Sequence, residues 1–209
     1  TKLGDSDIDV LEEIEKRAAE DLSTLLGTYV RVRVHTNSQV IRDTTKASQE
    51  WMHNKDVTPN YITLEESYPV EDIKFSVYCE TPELLQVIED APIEEVYYHS
   101  ALLKSNCRVT SQPDWGDVYI YMKGSNTIDP ISLLQYIVSF RDECHFHEEI
   151  CETIYKRIVD AVQPDELSVK CLYARRGGID INPERVSHKK LLHPTLSEVG
   201  VPHIKTPKQ

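Results

Sequence analysis

Several absences narrow this 209-residue chain before anything else does. No apolar run approaches the roughly 20 residues needed to cross a bilayer. The opening segment Thr1-Lys2-Leu3-Gly4-Asp5-Ser6-Asp7 has no apolar core of a signal peptide. A cytoplasmic protein without a membrane partner is therefore expected. There is no GxGxxG and no Walker loop, so neither a Rossmann site nor a P-loop is indicated. The five cysteines, Cys79, Cys107, Cys144, Cys151 and Cys171, include no close CxxC pair. In a reducing compartment they read as thiols, most of them small buried hydrophobes. Basic residues are scarce at the front: residues 1–100 carry 9 against 21 acidic ones, whereas residues 101–209 balance at 14 and 14. The net charge of −12 speaks against long-range attraction to a polyanion. The charge does not exclude a free nucleobase, which carries little charge itself.

What remains is a globular composition, 28% charged and 40% hydrophobic, long enough for one large domain or two small ones. Val10, Leu11, Ile14, Ala18, Leu22 and Leu25 recur at helical steps and predict a helix over Asp9 to Leu26, closed by Gly27. Strict alternation predicts strands over Tyr29 to His35 and Ile73 to Cys79. Residues 36–70 read as a long connection, with a short strand near Tyr61 to Leu64. Thr81 to Asp90 reads as a short helix, capped by Thr81 with Pro82 in its first turn.

The second half is more regular. Val96 to Thr110 is extended and Asp117 to Met122 is a strand. Asp129-Pro130 opens a helix to about Arg141, and a second helix runs from about His145 to Val162. Pro164 stops it. Leu167 to Ala174 is a strand, Arg175 to Gly178 a turn, and Ile179 to Pro183 leads into a last strand. The order is two strands, two helices, two strands. The tail from about His188, with Pro194, Pro202 and Pro207, reads as loosely ordered.

Three segments carry candidate chemistry. In the first, Cys107 precedes Asp114 by seven residues, with Gln112-Pro113 between them. A sulfur nucleophile and an acid are the two groups that covalent attack on a polar multiple bond requires. Pro113 cannot donate to a sheet and restricts Gln112, so the backbone turns or bulges between the two. The alternatives are a structural cysteine and a turn-capping aspartate. The second segment is Cys144-His145-Phe146-His147-Glu148-Glu149-Ile150-Cys151. Its helical spacing fits a metal site, a plain helix start with acids at the positive end of the dipole, or a carboxylate that reads a guanine-like edge. No second ligand pair supports the metal, and none is expected. The third is Arg175-Arg176-Gly177-Gly178, either a solvated turn or a phosphate-binding one.

Together these segments are more specific than any one alone. Leu102-Leu103-Lys104-Ser105-Asn106-Cys107 with Gln112-Pro113-Asp114-Trp115-Gly116, Ser139-Phe140-Arg141 with Phe146-His147-Glu148, and Arg175 through Pro183 resemble the 7-cyano-7-deazaguanine reductases. These are the nitrile reductases of queuosine biosynthesis, built on the tunnelling fold. The resemblance covers roughly residues 90–187 and matches the C-terminal module of the two-module type. It implies an α+β tunnelling fold, an antiparallel sheet with two helices on one face. It also implies a partial N-terminal module over residues 1–90, a complete catalytic module over 91–187 and a tail over 188–209. Homo-oligomers with sites at subunit interfaces follow by analogy.

The resemblance implies roles as well. Cys107 would form a thioimide with the nitrile carbon and Asp114 would protonate the nitrogen, with His147 beside the reacting centre. Glu148 and Ser105 would bind the base. Arg175, Arg176 and Gly177 would hold the cofactor, NADPH, which delivers two hydrides. One departure stands out. The family's lysine-containing NADPH signature has as its counterpart here Asp129-Pro130-Ile131-Ser132-Leu133-Leu134-Gln135-Tyr136, which has no lysine. An upstream segment or a partner would supply it, or the protein would be a non-reducing relative that converts the nitrile to an amidine with ammonia. A non-catalytic base-binding subunit is the reading from a different class.

Overall fold

In the computed structural model the described residues are 5–32, 61–91 and 95–192; for 5–9 and 11 only the backbone is described. The chain divides into two compact units, Thr1–Thr58 with His193–Ile204, and Pro59–Leu192 with Lys205–Gln209. In the first unit, helix α1 spans Asp5–Leu26 and ends at Gly27, whose φ of 63° is the left-handed geometry glycine adopts without cost. Its apolar stripe is open: Val10, Ile14 and Leu25 are all exposed.

The second unit carries the candidate site residues named from the sequence. Its five-stranded sheet has the order β1-β3-β4-β6-β7, with β1 Ile62–Thr63, β3 Glu95–Asn106, β4 Pro113–Lys123, β6 Glu166–Tyr173 and β7 Glu184–Val186. All neighbours are antiparallel except β1, which runs parallel to β3. A separate ribbon pairs β2, Val87–Ile88, with β5, Thr127–Ile128. A single turn, α2, spans Leu64–Ser67. Helices α3, Pro130–Ser139, and α4, His147–Val162, follow β5.

Both helices cover the same face of the sheet. Register aligns Val118 with Cys171, Ile120 with Val169 and Met122 with Leu167. These side chains join Leu133, Leu134 and Ile137 of α3 and Ile150, Ile154 and Ile158 of α4 in one buried cluster. Each fully buried Leu, Ile or Val contributes about 1.5–3 kcal/mol, so this cluster dominates the fold. α3 begins where the sequence predicts, because Asp129 Oδ1 accepts from Ser132 N at 2.8 Å and Pro130 opens the first turn. The α+β class, the antiparallel core of the sheet and the two helices on one face agree with the sequence reading.

The opposite face is aromatic. Tyr61 meets Tyr97 and Tyr119 edge-on at 5.6 and 5.2 Å, and Tyr97 lies 4.9 Å from Tyr121. His99 bonds Thr63 Oγ1 at 3.1 Å and Asp117 Oδ1 at 3.2 Å, tying β1 to the sheet.

Three local expectations are corrected, and one irregularity is added to the extended segment from Val96. Tyr29 to Val32 is not a strand; Val30 N donates to Ser23 Oγ, which folds the segment back on the end of α1. Arg33 to His35, and the connection up to residue 60, lie outside the described residues. Ile73 to Cys79 alternates as expected but joins no ladder. It lies along α3 as an extended strap, held by Gln135 Nε2 to Lys74 O and by Asp142 N to Tyr78 O. Ile73 and Phe75 point into the core, which is the origin of the alternation. Thr81 to Asp90 is not a helix: it holds a 3-10 turn, Pro82–Leu84, and then β2, and the Thr81 hydroxyl donates to Cys79 O and does not cap. Finally, β3 bulges between Ser100 and Leu103. The extra residue shifts the phase, so Leu103 and Ser105 face the helices.

Candidate active site

β3 and β4 are joined by a tight loop, residues 107–112, and Cys107 is its first residue. Cys107 N donates to Gln112 O and Ser111 N donates to Cys107 O, both at 2.8 Å, while Ser111 takes a left-handed φ of 55°. The thiol is half-exposed. The Thr110 hydroxyl, followed by the N–H groups of Thr110 and Val109, pulls its pKa below the ordinary cysteine value; partial burial and Asp114 oppose this. A loop that turns several N–H groups toward one sulfur favours the thiolate, the nucleophilic form.

Asp114 is the second residue of β4 and is 3% exposed. Its Oδ1 accepts from Arg176 Nε and lies 3.2 Å from His147 Nε2. His147 opens α4. The helix is started by Glu149 Oε2, which accepts from Phe146 N at 2.8 Å. The Asp114 carboxylate thus sits beside the positive end of a 16-residue helix. Tyr173 lies flat on the imidazole, with ring centroids 3.9 Å apart and 6° between planes. Gly116 makes this possible, since a Cβ there would stand 3.1 Å from the Tyr173 ring. His147 Nδ1 is buried without a hydrogen-bond partner among the described residues.

The remaining candidates fall in different places. Glu148 is exposed, at the first turn of α4 beside His147. Ser105 is fully enclosed, paired across the sheet with Asp114. Burial drives the pKa of the neighbouring Tyr173 phenol far up. Gly177 and Gly178 have φ of 56° and 82°, and a tight turn follows with Arg176 and Ile179 exchanging backbone bonds at 3.0 and 2.9 Å. Arg175 forks onto Asp180 at 3.1 and 3.2 Å. Arg176 turns inward. Beyond Asp114 it donates to Gln112 Oε1 at 2.7 Å, Gln112 O at 3.1 Å and Pro113 O at 3.0 Å.

The spacing of Cys144 and Cys151 does not produce a site. Cys144 is exposed, whereas Cys151 is buried with its Sγ 3.5 Å from Val169 O and Pro183 O. Among the described residues no three His, Cys, Asp or Glu side chains gather as metal ligands do.

Residues 113–191 match the family model described as QueF-like protein. The match runs from the start of β4 past β7 and so takes in Asp114, His147, Glu148 and the Arg175–Gly178 turn. Three curated proteins of like sequence are each named NADPH-dependent 7-cyano-7-deazaguanine reductase. The Colwellia psychrerythraea protein is 48% identical over 122 residues, covering 56% of this chain and 42% of the relative. The Legionella pneumophila (strain Lens) protein is 39% identical over 175 residues, covering 84% and 55%. The Coxiella burnetii (strain RSA 493) protein is 41% identical over 143 residues, covering 63% and 50%. The chain thus spans about half the length of the curated relatives it matches. A crystal structure titled archaeosine synthase QueF-Like in the apo form aligns with a TM-score of 0.44 at 16% identity, covering 46% of this chain and 96% of that one.

Helix α3, where the sequence reading looked for the cofactor signature, offers NADPH little. Asp129 is occupied as the cap of α3, and Ser132 Oγ donates to Asp129 O while accepting from Gln86 N. Leu133, Leu134 and Tyr136 are fully buried. No cation projects from Pro130–Ser139. Arg175 and Arg176 already face carboxylates. These residues do not fit a dinucleotide phosphate.

Sequence reasoning missed two parts of the site: the inward turn of Arg176 and the Tyr173–His147 stack. The glycine inside β4 was the available signal for the second, because a strand glycine marks close approach of another group.

Proposed function

We propose that this protein acts on 7-cyano-7-deazaguanine, attacking its nitrile with Cys107 and carrying it to 7-aminomethyl-7-deazaguanine in queuosine biosynthesis. The observation that carries the reading is the loop-stabilised thiol of Cys107 at the same hairpin end as Asp114, which is buried between His147 and Arg176. The names of the relatives support reduction over the alternatives.

In the covalent step the Cys107 sulfur forms a bond to the nitrile carbon. One π bond of C≡N breaks and its pair moves to nitrogen. The Asp114 carboxylate takes the proton that the thiol releases and delivers it to that nitrogen, with His147 3.2 Å from the same carboxyl oxygen. The product is a thioimide, the sum of thiol and nitrile. Glu148, exposed at the start of α4, accepts the N–H edge of the deazaguanine, and a base lacking that edge leaves the carboxylate unpaired. Ser105, fully buried and paired across the sheet with Asp114, supports the site from beneath the base.

Taking a nitrile to an aminomethyl group consumes two hydrides, which NADPH supplies. Its grip belongs to residues outside α3 and the Arg175–Gly178 turn, in an upstream segment or a partner subunit. Residues 1–90 are proposed as a partial module of the same kind, ahead of the catalytic module, in a cytoplasmic homo-oligomer.

The test is NADPH oxidation followed at 340 nm with and without the nitrile base. Nitrile-dependent oxidation with aminomethyl product supports reduction. Turnover that needs ammonia and ignores NADPH replaces this reading with amidine formation.

A further inference from the structure

We infer that Arg176 is a positioning residue for thioimide formation, fixing the Cys107 loop and the Asp114 carboxyl relative to each other through one guanidinium. The inference rests on the covalent reading above.

The geometry is specific. Four donor contacts leave Arg176 for three neighbouring residues: the Asp114 carboxylate, the side chain and carbonyl of Gln112, and the carbonyl of Pro113. The Gln112 carbonyl also accepts from Cys107 N at 2.8 Å. A single oxygen therefore links the backbone of the nucleophile to the guanidinium that holds the acid. Each end of the loop, where β3 becomes β4, is tied to the same planar group. Planarity matters, because a fork of fixed N–H directions transmits orientation as a rotatable ammonium cannot. The turn that carries Arg176 is itself restrained, by the Arg176–Ile179 backbone pair and by Arg175 on Asp180.

This arrangement gives Arg176 work to do with no phosphate present. A reacting nitrile has its carbon and nitrogen about one bond length apart. The sulfur and the acidic proton must then be placed to within a fraction of an ångström, and misplacement by about 1 Å costs on the order of a hundredfold in rate. Among the described residues, the charged and titratable groups next to the loop are Asp114, Arg176, His147, the Arg108–Glu149 pair at 2.9 Å, and His145 at 3.3 Å from Arg108. Removing Arg176 loosens the carbonyl that closes the loop and exposes the thiol to the uncompensated charge of Asp114. Both effects make the thiolate harder to form.

The experiment compares wild type with Arg176→Ala and Arg176→Lys in the full chain. The rate of adduct formation at saturating nitrile is read by mass spectrometry. Affinity is read by calorimetry in the Cys107→Ala background. The expected result is a 10- to 100-fold slower adduct in both variants, with affinity within about twofold of the parent and partial rescue of the alanine variant by guanidinium ion. The pH midpoint for alkylation of Cys107 by iodoacetamide should also rise. An unchanged rate, or a loss of affinity as large as the loss of rate, would overturn the inference. Wild-type protein that forms no adduct would instead sink the covalent reading. In that case the alkylation midpoint still tests the link between Arg176 and Cys107, and an unmoved midpoint breaks it.

Discussion

Asp114 Oδ1 stands 3.2 Å from His147 Nε2, where the second residue of β4 meets the first residue of α4. Strand and helix come from opposite sides of the α3 segment in sequence, yet their ends converge on one carboxyl oxygen. The proposed covalent step turns on that oxygen.

Replacing Asp114 with Asn keeps the size and removes the acid. The adduct with the nitrile should form about 10²- to 10⁴-fold more slowly, the range that general acid catalysis contributes. Affinity of the base, measured in the Cys107→Ala background, should change little. An adduct rate within threefold of wild type would assign the proton to another group.

The Cys107 thiol should titrate below an unperturbed cysteine, about 8.5. The Thr110 hydroxyl is the largest cause of the lowering, so Thr110→Val should move the midpoint up. At a pH between the two midpoints the variant then holds less thiolate and reacts more slowly. The rate of iodoacetamide alkylation against pH measures both curves. Superimposable curves would deny the loop its role.

Gly116→Ala places a methyl 3.1–3.2 Å from the Tyr173 ring and 3.3 Å from Leu172 O. The ring cannot retreat, because it lies against His147. The variant should lose about 1–3 kcal/mol of stability by urea denaturation, as overpacked cores do. It should also form adduct more slowly. A fully stable variant would show that the stack yields without cost.

Glu148 is exposed at the first turn of α4, so its removal costs the fold little. Glu148→Ala should leave the denaturation midpoint unmoved and weaken base binding more than tenfold, since the unpaired edge of the base loses its acceptor. Unaltered affinity would take Glu148 out of the site.

Much of this was legible in the sequence, and the reasons are physical. The order of two strands, two helices and two strands was readable because α4 repeats Ile150, Ile154 and Ile158 at helical steps, and because Pro130 and Pro164 bracket the helical pair. The front of the chain was less so. Ile73 to Cys79 alternates because one side faces the core, and alternation does not say whether the backbone finds a strand beside it. The bulge after Ser100 leaves no trace in composition, although it decides that Ser105 faces inward. Cys107 and Asp114 could be proposed from residue type and spacing. Arg176 did not, because an arginine in a glycine turn looks the same whether it points outward to a phosphate or inward to a buried carboxylate.

The most direct test of the central claim is the intact mass of the protein after incubation with 7-cyano-7-deazaguanine in the absence of NADPH. The account predicts a mass increase equal to the whole ligand on wild type and none on Cys107→Ala. Wild-type protein of unaltered mass at saturating ligand, or an adduct that survives the loss of Cys107, would contradict it.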